Sequence, residues 1–131
     1  MEILNVLAAA AGSFVFGAIW YMALAKPWMA ASGVPVGDDG QPVNSSNPLP
    51  YITSAVSAIL VAGMMRHVFE TSAVETVWSG AVSGLGIGLF FICPWMAMNN
   101  MFGGRPFRLT VIDGGYAVIG CTIMGVVLML F

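Results

Sequence analysis

The chain has 131 residues, enough for one domain. Apolar residues make up 59% of it, charged residues only 8%, and its mean hydropathy is +0.90. A soluble domain of this size could not hide that much apolar sequence, so the class is all-α integral membrane. The net charge of −2 without any basic cluster excludes a nucleic-acid surface and a polybasic lipid-binding segment.

Four apolar runs are each long enough to cross a bilayer, which takes about 20 residues for about 30 Å of hydrocarbon. None alternates with period two, which excludes a β-barrel. The first span is expected at about residues 3–25. Its start, "MEILN", lacks the positive region of a cleaved signal, so it reads as a retained helix. Trp20 and Tyr21 near its end suit the lipid–water boundary. A long polar loop is expected over 26–50, with a turn at Asp38-Asp39-Gly40.

The second span is expected at about 51–68, closed by Arg66, His67 and Glu70. Arg66 and Glu70 stand as an i,i+4 pair. Ser72 and Glu75 have capping-box spacing and place the third span at about 73–98. Pro94 removes a helical hydrogen bond to Phe90 and should kink that span. Gly103-Gly104 make a tight connection, and Pro106 opens the fourth span, 106–131. The expected fold is an up-down bundle of four transmembrane helices forming a single domain, 1–131.

Small residues recur at four-residue spacing: Ala9/Ser13/Gly17, Ser54/Ala58/Ala62, Gly80/Gly84/Gly88 and Ala117/Cys121/Gly125. Such stripes let backbones approach closely in lipid, within the bundle or between subunits. Cys93 and Cys121 are expected to differ in depth by about 9 Å at about 1.5 Å per residue. A disulfide between them is therefore not expected.

An even number of spans puts both termini on one face. Lys26, Arg105 and Arg108 fall on the other, against Arg66 alone on the terminal side. The positive-inside rule then makes those three residues cytoplasmic anchors and the termini periplasmic. The anchor face also collects Trp20, Tyr21, Trp95, Asn99, Asn100, Asp113 and Tyr116. An Asp in the upper hydrocarbon must face the bundle, because lipid exposure costs about 2.5–3.5 kcal/mol at a helix centre and less near the boundary. Its candidate partners are the Asn99 or Asn100 amide, the Trp20 or Trp95 indole, the Tyr21 hydroxyl, or an arginine. A tryptophan or asparagine is favoured. The cluster reads either as a structural clasp or as a transport site.

No nucleophile has a histidine near it in sequence, and "GLGIG" at Gly84–Gly88 lies mid-span rather than at a phosphate loop. His67 is the single histidine, so no multi-histidine metal site exists, and haem or pigment attachment there is disfavoured. No catalytic residue, metal or cofactor is expected. Gly17-Ala18-Ile19-Trp20-Tyr21, Pro27-Trp28, Asn99-Asn100, Phe102, Arg105-Pro106 and Ile112-Asp113-Gly114-Gly115-Tyr116 together resemble a bacterial family of small four-span inner-membrane proteins catalogued as a domain of unknown function. The resemblance implies a fold and a bacterial inner-membrane location, and no activity. The expected function is a non-enzymatic membrane protein, oligomeric or an accessory subunit of a larger membrane complex, whose partners are lipid and membrane proteins. The alternative is a small-solute or ion transporter or channel using the polar cluster.

Overall fold

The computed structural model describes residues 2–131. Among the described residues, four helices are long and apolar enough to span a membrane. The first, α1 (Glu2–Ala23), ends two residues earlier than expected. Pro27 is the reason: it cannot donate to the Ala23 carbonyl, and its ring crowds that group. The chain turns at Leu24 and resumes at once as α2 (Ala25–Ser32), which stops at Gly33 in the left-handed conformation (φ 72°). The segment 26–50 is therefore not all loop. Its first part is a short helix, because Ala, Lys, Trp and Met around Pro27 tolerate helix and a proline is harmless in a first turn. The remaining loop contains one isolated antiparallel bridge, Val36 to Pro42. It closes over the expected turn, where the Asp39 carboxylate accepts from Gln41 N at 3.0 Å and Gly40 has φ 77°.

The second span, α3 (Leu49–Thr71), starts two residues before the expected point and ends three beyond it. Arg66, His67 and Glu70 are thus inside the helix. Ser72 terminates α3, its backbone N–H turned back to Phe69 O, and does not start the next helix. The capping box lies four residues further on. Thr76 Oγ1 accepts from Ser79 N at 3.0 Å, and Ser79 Oγ accepts from Thr76 N at 3.1 Å. Both Ser72 and Thr76 can serve as an N-cap, and the extra turn of α3 uses up the first.

The third span comprises α4 (Val77–Ile87), a π turn (Gly88–Ile92) and α5 (Cys93–Phe102). Cys93 N donates to Gly88 O, five residues back. The disturbance expected from Pro94 takes this form: one residue is accommodated as a π turn just before the proline. Gly104 (φ 72°) makes the connection. The fourth span, α6 (Phe107–Leu130), has Pro106 as its extended N-cap rather than in its first turn.

The four spans pack unequally. Helix α6 is central, with the third span along one flank and α1 along the other. Helix α3 packs mainly on α1, and only slightly on α6. Of its most apolar window, 44% is buried for α6 but only 11% for the third span. The main apolar core lies in the terminal half, built from Ala9 and Ala10 of α1, Met65 and Phe69 of α3, and Met124 and Leu128 of α6. Cys93 and Cys121 are both free.

The glycine ridge of the third span is engaged inside the chain. A Cβ on Gly80 would lie 2.5 Å from Gly125 O, and one on Gly88 would lie 2.6 Å from Ala117 O. Gly84 meets the Cys121 carbonyl in the same way. These are backbone-on-backbone contacts, so no side chain can move aside to relieve a substitution. Of the two roles open to the ridge, the structure has the one within the bundle. Gly84→Leu should therefore lower stability by about 1–3 kcal/mol or more through overpacking, measured as unfolding in detergent. Gly86→Leu, with nothing within 4 Å of its Cβ position, should leave stability within about 0.5 kcal/mol.

Candidate functional site

The anchor face carries a polar and aromatic cluster built around the start of α6. The Tyr21 hydroxyl donates to Asp113 Oδ1 at 2.7 Å. The Trp20 indole N–H donates to Ile112 O at 2.9 Å. Adjacent residues at the end of α1 thus grip adjacent residues of α6, one by side chain and one by backbone. A third bond comes from α5, where Asn100 Nδ2 donates to Thr110 Oγ1 at 3.0 Å. Lower down, the Tyr116 hydroxyl donates to Ser13 O at 3.2 Å.

Aromatic rings gather beside the carboxylate. The Tyr21 ring meets Tyr116 edge-on, with centroids 5.5 Å apart, and meets Trp28 of α2 at 6.2 Å. Phe16 stands 5.7 Å from Trp20 and 6.2 Å from Tyr116. The Trp28 indole and the Arg105 guanidinium lie in the same neighbourhood as the carboxylate. Trp28 is there because the chain bends at Leu24 and α2 packs against α6.

Each residue of Asp113-Gly114-Gly115-Tyr116 has a separate task. Asp113 accepts the tyrosine hydroxyl. Gly114 faces Cys93, whose sulfur would lie 3.0 Å from a Cβ there, while the thiol donates to Gly114 O at 3.4 Å. Gly115 makes room for the Trp20 ring, which would lie 2.7 Å from an added Cβ. Tyr116 crosses to α1, where Gly17 leaves space for it: a Cβ on Gly17 would sit 2.8 Å from the ring. Gly17 therefore serves a ring rather than a backbone approach. Ser13 contributes its backbone carbonyl to the same crossing, and its Oγ faces Gly120.

The structure does not bring every expected member together. Trp95 is 66% exposed, and Asn99 is exposed too. Both lie on the outer side of α5, whereas Asn100, one residue further round, turns inward. The Asp113 bond is Tyr21's, and none of the expected donors Trp20, Trp95, Asn99 and Asn100 makes it. Thr110, Asp113 and Tyr116 do not share one neighbour. Steps of three residues turn the direction by about 60° each way round the helix, so Thr110 meets α5 while the other two meet α1. Lys26, Arg105 and Arg108 are exposed near the ends of the spans.

Sequence reading missed a second polar junction, at the terminal face. Asn5 is 1% exposed and its Nδ2 lies 3.3–3.4 Å from the carbonyls of Val127, Leu128 and Phe131. Its Oδ1 accepts from Arg66 Nη1. Arg66 also meets Glu70 at 3.2 Å and Glu2 at 3.9 Å. The available signal was a lone amide in the first turns of an apolar helix, at the level where α6 must end. Among the described residues, no three His, Cys, Asp or Glu side chains gather as a metal site. His67 is exposed near that junction.

The hydrogen bonds of the anchor face join helices to one another and leave little for a solute. Tyr21→Phe should cost about 1 kcal/mol, the usual net worth of such a bond in or out of a membrane, and the loss should disappear when Asp113→Ala, which has no acceptor, is already present. Trp95→Phe should be neutral within about 0.5 kcal/mol. Unfolding in detergent for the four variants and the unmodified chain checks both statements.

Comparison with known proteins gives one match. No curated protein and no solved structure matches the chain. A family model described as "Protein of unknown function (DUF1761)" matches residues 4–129. That range takes in nearly all of the four membrane helices, with Tyr21, Asp113, Asn5 and Arg66 among its residues, and the chain belongs to this family.

Proposed function

We propose that this multi-pass membrane protein is not an enzyme and works by association, with copies of itself or as a small accessory subunit of a larger membrane complex. The observation that supports this reading is the inequality of the spans. Only 11% of the third span's apolar window is buried within the chain. Its outer face carries large rings and chains, among them Trp78 at 77%, Phe90 at 70%, Phe91 at 72% and Trp95 at 66% exposure. With the glycine ridge engaged on α6, this aromatic face is the broadest surface left for another helix. Aromatic side chains supply much of the contact energy where protein surfaces meet.

The transport alternative has less support. The Asn100 amide and one Asp113 oxygen are already engaged between helices, and a path would have to break those bonds. In the same reading the membrane is the bacterial inner membrane. Lys26, Arg105 and Arg108 face the cytoplasm and the termini face the periplasm, following the three-to-one bias of basic residues. The chain works without a resident cofactor.

Two measurements test this. Purification in a native detergent, with mass and absorbance recorded together, should give a particle heavier than one chain plus detergent, and a colourless one. A strictly monomeric protein that brings nothing with it sinks the association reading. Single-cysteine variants on a Cys93→Ala/Cys121→Ala background give the orientation. Ser72→Cys should react with an impermeant thiol reagent from the periplasmic side, and Ser45→Cys only after the membrane is opened; the reverse pattern inverts the topology.

A further inference from the structure

We infer that the seam between α1 and α3 at the terminal face binds a phospholipid whose headgroup carries a primary amine. A groove of about 380 Å³ runs along this seam. Helix α1 enters the membrane from the terminal face and α3 returns to it, so residue depth can be read from both. Glu2 lies level with Glu70, Arg66 and His67 at the mouth. Deeper along the groove, Val6 and Leu7 of α1 face Ile59 and Gly63 of α3. The groove is thus charged where a headgroup would lie and apolar where an acyl chain would lie.

The charges select the headgroup. Glu2 and Glu70 contribute two negative charges and Arg66 one positive, so these three side chains leave the mouth net negative. Arg66 is held at 3.2 Å by Glu70 and 3.9 Å by Glu2, and is only 23% exposed. The acids are less confined: the Glu2 side chain is 75% exposed and that of Glu70 54%. Their free oxygens can accept from an outside donor. An ammonium group offers three N–H donors and a positive charge, which matches two acids flanking one guanidinium. The adjoining phosphate then lies beside Arg66 and His67. A glycerol headgroup brings the same phosphate with no cation, and the net negative mouth disfavours it.

Gly63 keeps the apolar part open. A Cβ there would meet only Val6 Cγ1, at 3.9 Å, so a larger side chain projects into the groove without striking the bundle. This lets the site be blocked without touching its charges.

The experiment uses the full chain, delipidated in detergent and offered equal amounts of an ethanolamine and a glycerol phospholipid with matched acyl chains. Bound lipid is read by native mass spectrometry. The ethanolamine lipid should be bound in about fivefold excess, the scale of one partly exposed charge contact. Glu2→Gln combined with Glu70→Gln should bring the ratio to about one. Gly63→Leu, with its melting temperature checked, should remove the tightly held lipid of either kind. Equal binding by the unmodified protein, a preference for the glycerol lipid, or a ratio unmoved by the glutamine variants overturns the inference. So does full lipid retention by a folded Gly63→Leu protein. The readout is independent of oligomeric state, so it stands or falls apart from the association reading.

Discussion

The close approach of α6 to its two neighbours is the constraint on which the rest of the structure depends. In lipid there is no hydrophobic gain from bringing two apolar helices together; packing and polar contacts must do it. Helix α6 solves this by omitting side chains. Gly125 meets Gly80 backbone to backbone on one flank, while Gly115 accepts the Trp20 ring on the other. The third span matches α6 with its own glycines, so that pair is held by backbone contact. Helix α1 instead brings rings, so that pair is held by Trp20, Tyr21 and Tyr116. One central helix thus uses two kinds of interface, and glycine position decides which neighbour sits where.

The polar groups then fix depth along the helices. Packing of smooth apolar faces permits one helix to slide along another; hydrogen bonds to single carbonyls do not. Helix α1 is tied to α6 at both ends. Near the anchor face Trp20 and Tyr21 hold Ile112 and Asp113. At the terminal face Asn5 lies over the last carbonyls of α6, which have no partner within the helix. Arg66 then ties α3 to the same asparagine. Asn5 meets the needs of both partners because its amide has a donor end and an acceptor end. Replacing it with an acid would satisfy Arg66 and strand the carbonyls, and an apolar residue would strand both.

Much of this was legible in the residues. Span number, span order and the shared face of the termini follow from hydropathy and length, which depend on composition over many residues and so tolerate local error. The face on which Asp113 finds its partners follows from topology. Its particular partner does not, because one residue turns a helix by about 100°. That single step separates Asn99 from Asn100, and the same rotation sends Trp95 outward. The start of the third span and the form of its interior disturbance turn on similarly local details. Ser72 and Thr76 both fit an N-cap, and only the length of α3 chooses between them. Pro94 announces a disturbance, but whether it becomes a kink or a π turn depends on packing against α6.

The arrangement also separates what is engaged from what is free. Along the centre, nearly every polar group has a protein partner, and the glycines have no space left. At the edges the balance reverses. The outer face of the third span is apolar and broad, and the α1–α3 seam ends in carboxylates that remain largely open to the surroundings. A transporter needs the opposite pattern, with unengaged polar groups inside and closed edges, because a solute must trade its water for protein donors along a path. Here the unengaged groups lie at the edges of the bundle, where the lipid and membrane-helix partners proposed above would approach.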